Sequence, residues 1–312
     1  MHGKVYQRPA VSKAPFDIRC AVGENPAVDI RSVTPTLCRL IGIEPPSVCS
    51  APVLELVPAQ NGDCPAPSST QALRGTVPRF AADRVLVYAP DAIGRVFLDN
   101  HPEMKKRLVA ASDVQVGLRA MTPPKTPVCF ASMFTGAMPE VHGIRRYERP
   151  VLTCDTLFDA LARAGKLAEI VAVKDCSMDI IFRNRAIDYF SEEDDAAVLE
   201  QTLSLLRDDR HDFIVSYNQE YDDTLHRTRH DGPEALAAAG RHVETFVRLW
   251  QATEEHWAGH NRVLLFTPDH GAHYDAAKGK SDHGEDIPED MDVLHFWRFR
   301  AARREFPVLA TA

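Results

Sequence analysis

From residue 84 onward, short apolar runs alternate with longer stretches of helical spacing. RVLVYAP (84–90), VQVGLRAM (114–121), AEIVAV (168–173), DFIVSY (212–217) and RVLLFT (262–267) read as strands. The segments 95–111, 155–165, 194–207 and 233–258, with another starting near 127, read as helices. DVLHFWR (292–298) predicts a later strand. Strands separated by helices of ten or more residues imply βαβ units. The expected fold class is therefore α/β, with a mainly parallel central sheet and helices on both faces.

Before residue 80 the pattern changes. Residues 58–79 are rich in Pro and Ser and read as a linker. Ahead of them lies SVTPTLCRLIGIEPP (32–46), where Thr34 suits an N-cap, Pro35 a first turn and Gly42 a left-handed C-terminal cap. The short helix this predicts carries an apolar stripe, Leu37, Leu40 and Ile41, that it cannot bury alone. Residues 1–312 are expected to form one domain, with an N-terminal segment at 1–57 and a motif-bearing core at 84–300.

Composition narrows the function classes. Hydrophobic residues at 45% and charged residues at 26% suit a soluble globular enzyme. A formal charge of −8 disfavours nucleic-acid binding through bulk charge. No apolar stretch nears the ~18–20 residues of a membrane helix, and the first sixteen residues lack the apolar core of an export signal. No membrane association and a cytoplasmic location are the expectations. The seven cysteines, Cys20, Cys38, Cys49, Cys64, Cys129, Cys154 and Cys176, include no CxxC pair. Reduced thiols, not thiolate metal sites, are expected of them.

In parallel sheets, ligands gather beyond the carboxyl ends of the strands. Asp91 follows the 84–90 strand, Asp222, Asp223 and His226 follow 212–217, and Asp269-His270 follow 262–267. With His283, the set Asp91, Asp222, His226, Asp269, His270 and His283 offers six imidazole and carboxylate ligands. That is too many for one tetrahedral zinc, but suits two divalent ions roughly 3.5–4 Å apart. Zn²⁺ fits the donor set first, with Mn²⁺ or iron next. Asp222 and His226, four apart, would share one helical turn and one ion. The 114–121 strand leads to Thr126-Pro127, which opens a helix. A hydroxyl at a helix N-terminus lies where a phosphate oxygen would settle, and a metal bound to it would make it a nucleophile.

These residues bring a family into view. Pro90-Asp91-Ala92-Ile93-Gly94, Lys125-Thr126-Pro127 with Met133 to Gly136 and Pro139 to Ile144, Tyr217 with Asp222 and His226, Thr267 to Gly271, and Asp282-His283-Gly284 occur in order. In this the chain resembles the alkaline phosphatase superfamily, and within it the nucleotide pyrophosphatase/phosphodiesterase-like branch that includes phosphonoacetate hydrolase. The resemblance implies one metal on Asp91, Thr126, Asp269 and His270, and a second on Asp222, His226 and His283. It implies Thr126 as nucleophile, a phospho-threonine intermediate, and zinc as the usual metal. The substrate would be a small phosphodiester, phosphate monoester or phosphonate.

Departures limit what carries over. Cys129 stands where the branch carries an Asn that holds a phosphoryl oxygen; Cys129 and Lys125 are the substrate-binding candidates. Asp223 and His230 compete with Asp222 and His226. Residues 32–46 resemble an element that relatives carry after the last metal His, so this segment is expected to pack beside the 292–298 strand. His142 is read as orienting a turn. Two alternatives stay open: a phosphomutase or phosphotransferase of the same superfamily, and a catalytically silent metal-binding protein.

Overall fold

The computed structural model describes residues 28–54, 56 and 81–303. The expected linker at 58–79 lies outside the described residues, as do Cys20 and Cys64. The strands are β1 (Arg84–Pro90), β2 (Val114–Arg119), β3 (Ala168–Val173), β4 (Asp188–Glu192), β5 (Phe213–Asn218), β6 (Arg262–Phe266), β7 (His273–Asp275), β8 (Lys280–Asp282) and β9 (Asp292–Arg300). Seven form one sheet in the order β2-β9-β6-β1-β5-β3-β4, and β7 with β8 make a separate hairpin. Every pairing around β1, β3, β5 and β6 is parallel except that of β6 with β9; β9 is antiparallel to both its neighbours. The mainly parallel α/β fold expected from the sequence is the fold observed.

β1 sits at the centre because its residues are apolar on both faces. Val85, Val87 and Ala89 enter one hydrophobic core, Leu86 and Tyr88 the other. Helices Thr126–Thr135, Leu157–Arg163 and Ser177–Ile181 cover the first face. Helices Arg95–Asn100, Pro102–Ala110, Asp195–Asp208 and Pro233–His256 cover the second. The crossovers place all carboxyl ends of β1, β5 and β6 on one edge. That edge carries the chemistry.

The structure departs from the sequence expectations in three places. The helix expected over 95–111 is two helices, because Pro102 cannot continue the first and opens the second. β4 and helix Ser177–Ile181 carry no strong periodic signal; β4 is an edge strand only partly buried. The third departure concerns the N-terminal segment. Its helix spans Val33–Ile41 and ends at Gly42 with φ 80, as the left-handed cap requires, but Thr34 lies inside it and donates to Met133 O at 2.6 Å. The helix packs on Thr126–Thr135, while Asp29 just before it bridges Arg119 of β2, the sheet neighbour of β9. All ten residues of Thr126–Thr135 are buried, and the N-terminal helix supplies part of their cover. Among the described residues no helix is long and apolar enough to cross a membrane.

Candidate active site

Two ligand groups form at the carboxyl edge: Asp91, Asp269 and His270, and Asp222, His226 and His283. Within each, the nearest ligand atoms all lie within 4.8 Å of one another. They face each other, with the rings of His270 and His283 stacked at 4.0 Å between centroids. Asp223 and His230 belong to neither group. Asp223 takes a bond from Gln219 Nε2 at 3.3 Å, and His230 Nδ1 meets Ser281 Oγ at 2.9 Å.

The first group is sealed from solvent: Asp91 is 1% exposed, Asp269 and His270 0%. His270 Nε2 lies 3.5 Å from Asp91 Oδ1, 3.2 Å from Asp269 Oδ2 and 3.3 Å from Thr126 Oγ1. His270 Nδ1 meets Gly271 O at 3.0 Å, and a carbonyl can only accept, so Nδ1 carries the hydrogen. Nε2 is then left with its lone pair facing the site. Burial, with His283 nearby, holds the His270 pKa well below its ordinary value, which keeps the ring neutral. Asp269 is anchored by the Ala92 N–H at 3.3 Å, and Ala92 holds a left-handed φ of 63, a strained setting for a residue with a Cβ. Tyr217 donates its hydroxyl to Asp91 Oδ2.

The second group is more open, with Asp222 15% and His226 33% exposed. Asp222 Oδ1 lies 3.4 Å from His226 Nε2 and 3.5 Å from His283 Nε2. His283 Nδ1 donates to Pro124 O at 2.7 Å, so its Nε2 also presents a lone pair. Burial lowers the His283 pKa. The neighbouring Asp222 carboxylate raises that of His226.

The carboxylates show what this arrangement lacks internally. Asp91 Oδ1, Asp222 Oδ1 and Asp269 Oδ2 are buried without a hydrogen-bond partner. Burial, and then Asp269 and Asp222, push the Asp91 pKa well up; burial and Asp222 push that of Asp269 to about 8. Burial opposes ionisation of Asp222 as well, but His226 and His283 outweigh it and hold its pKa down. Orphaned oxygens and imidazole lone pairs converging without a thiolate fit divalent cations of the Zn²⁺ or Mn²⁺ kind. The residues present fit the implied metals.

Thr126 is the first residue of its helix and 4% exposed. Its hydroxyl faces His270 Nε2. Lys125 donates to His283 O and lies 3.6 Å from Asp282 Oδ1, between the Thr126 turn and the His283 loop. Cys129 is fully buried with Sγ 3.9 Å from Met121 O, and burial raises its thiol pKa well above the usual value. His142 accepts from Ile144 N and bonds Ser132 Oγ at 2.8 Å, bracing the turn after the helix.

Two supporting residues escaped sequence reasoning. Asp195 accepts the N–H groups of Gln219 at 3.0 Å and Glu220 at 2.9 Å, and His242 Nε2 accepts that of Tyr221 at 3.2 Å. Together they hold the N-terminus of Glu220–Leu225, the short helix that presents Asp222 and leads to His226. Asp195 had a local signature only as a charge run, and His242 is one polar position inside a long helix.

No family model matches the chain, and no curated protein matches it. Among solved structures, murine ectonucleotide pyrophosphatase/phosphodiesterase 5, inactive and in complex with AMP, is similar at 18% identity with a TM-score of 0.50, over 63% of this chain and 59% of that one. Phosphonoacetate hydrolase from Sinorhizobium meliloti 1021, in complex with phosphonoformate, matches at 19% identity and a TM-score of 0.47, over 64% and 59%. The chain thus spans less than two thirds of the length of either structure. At 18% identity, the likeness to the first of these is one of fold alone. The alkaline phosphatase-like fold expected from the motifs is borne out.

Proposed function

We propose that this chain is a two-metal hydrolase of phosphodiesters, phosphate monoesters or phosphonates, acting through a phospho-threonine at Thr126. One observation carries this: two three-ligand groups with orphaned buried carboxylate oxygens flank a hydroxyl at a helix N-terminus. The shared fold of a phosphodiesterase solved with AMP accords with it. Asp91, Asp269 and His270, joined by Thr126, would hold one ion, and Asp222, His226 and His283 the other. Bound there, the ions would supply positive charge to the transferring phosphoryl group and lower the pKa of coordinated oxygens.

The chain's own residues do the positioning. Thr126 Oγ1 takes its place opposite His270 Nε2, set by the first helical turn. Pro127 has no N–H, and that of Cys129 bonds Lys125 O at 2.9 Å, leaving the N–H groups of Thr126 and Val128 for a phosphoryl oxygen. Lys125, rather than the inward-turned Cys129, is the side chain we assign to a further phosphoryl oxygen. Tyr217 keeps Asp91 oriented, and the closed cover over Asp269 and His270 excludes water from behind the nucleophile.

The test combines metal content with turnover of bis-p-nitrophenyl phosphate and p-nitrophenyl phosphate. The parent should hold close to two ions per chain after reconstitution with Zn²⁺. Thr126→Ala should lose about a thousandfold or more in kcat, while Thr126→Ser keeps part of it. An Ala variant as fast as the parent would overturn the covalent route. A plateau at one ion or none would overturn the two-metal site.

A further inference from the structure

The helical turn Pro288–Met291 lies between the two candidate ligand loops, and Asp290 is its fully buried member. Asp290 Oδ2 accepts the N–H groups of Gly284 at 2.8 Å and Glu285 at 2.9 Å, directly after His283. Its Oδ1 accepts from His273 Nδ1 at 2.8 Å. Its backbone carbonyl accepts from Gly271 N, directly after His270, at 2.8 Å. One residue therefore bonds the N–H that follows a ligand in each group. The packing leaves little room for these loops to shift. A Cβ on Gly94 would lie 2.7 Å from Gly271 Cα and 2.9 Å from Glu289 O, and one on Gly271 would collide with Glu289 O.

Asp290 belongs to neither ligand group, and both its oxygens are already engaged. We propose that Asp290 is a positioning residue that fixes the His283 loop against the His270 loop and so sets the spacing of the two metal sites. This rests on the two-metal function proposed above. The physical reason is that His283 is aimed from two ends. Pro124 O fixes its ring, and the Asp290 carboxylate fixes the backbone just beyond it. A charged acceptor shared by two N–H groups is a strong local clamp. Loss of such support behind metal ligands costs about 10- to 100-fold in metal affinity.

The experiment is Zn²⁺ titration of the full chain, stripped and then competed against a chelator, for the parent, Asp290→Ala, Asp290→Asn, His283→Ala and the doubles. Asp290→Ala should weaken at least one site by about 10- to 100-fold. Asp290→Asn keeps an oxygen for Gly284 and Glu285 and should lose about three- to tenfold. On a His283→Ala background, removing the Asp290 side chain should change the remaining affinity less than about threefold, because it acts through His283. Parent-like affinity in Asp290→Ala, or losses that simply multiply in the double variant, would overturn the proposal. If Asp290→Ala does not fold, Asp290→Asn decides alone, and parent-like affinity there overturns it. A parent that binds no Zn²⁺ overturns the two-metal function and this inference together, which distinguishes that failure from the others.

Discussion

At the carboxyl ends of the strands, Asp91 and Asp269 are buried with one oxygen each left unbonded; at the amino ends, Glu169 is buried with both. The surroundings of the two acids differ. Around Asp91 and Asp269, three loops deliver further carboxylate and imidazole groups to one gap, and two imidazoles are turned so that Nε2 lone pairs face inward. Around Glu169, among the described residues, the imidazole is that of His211, 3.4 Å away on Nδ1 and 3.2 Å from Asp188 on its other nitrogen. Burial, then Asp188 and Asp208, push the Glu169 pKa up to about 8. A lone buried acid is satisfied by a proton. Several carboxylates converging with imidazole lone pairs on one gap form a donor set that a cation would satisfy.

That contrast stands only while the sheet remains covered, so the first test removes cover without touching either end. Deleting residues 1–57 would strip Ile30, Val33, Leu37 and Leu40, each 0–3% exposed. At about 1.5–3 kcal/mol per buried side chain this approaches the whole stability of a typical domain. Insoluble protein is the expected result on expression and sedimentation. A soluble, active truncation would show that the N-terminal helix is dispensable to both ends.

Next in size is Asp269→Asn. It should reduce kcat by about a thousandfold and lose one ion equivalent, while the metal-free protein melts no lower than the parent. The stability part follows because one buried, repelling carboxylate is gone. A metal-free melting temperature well below the parent's would mean that Asp269 is structural, like any core polar group.

Glu169→Gln is the counterpart at the other end. The folded-state pKa of about 8 lies above the ordinary 4.5, so the folded protein holds this proton more tightly than the unfolded chain. The stability it brings is therefore full below about pH 4.5 and is lost as pH rises toward and through 8. The Gln variant should show less of that loss, gaining on the order of 1–3 kcal/mol over the parent at pH 8 relative to pH 5. Thermal melts at the two pH values decide it, and equal shifts at both would refute the assignment. Activity should not change. The smallest effect is expected of Cys129→Ala, whose thiol faces Met121 O: kcat/KM within about tenfold of the parent. A larger loss would return Cys129 to the phosphate-binding set.

Much of the candidate site was legible because most of its residues follow an apolar strand in the chain, whereas His283 follows β8, a three-residue strand with no apolar run to read. Asp91, Asp222, Asp269 and His270 are found by asking what stands after an apolar run, and Gly42 by asking what ends a helix. These are local facts, and periodicity reports local facts. What the sequence could not carry is contact over distance. His283 takes its orientation from Pro124 O, 159 residues away, and the N-terminal helix finds its seat at Met133 O, 99 residues from Thr34. Asp222 and Asp223, adjacent and chemically identical, differ only in the direction each side chain takes from the short helix, Asp222 toward His226 and His283 and Asp223 toward Gln219. Asp195, His242 and Asp290 lend their polar atoms to backbone N–H groups of other loops, which leaves no spacing to read. The chain itself determined which groups reach the carboxyl edge of the sheet. Tertiary packing alone determined which of them meet, because a buried polar atom takes its partner from whatever the fold brings within about 3 Å.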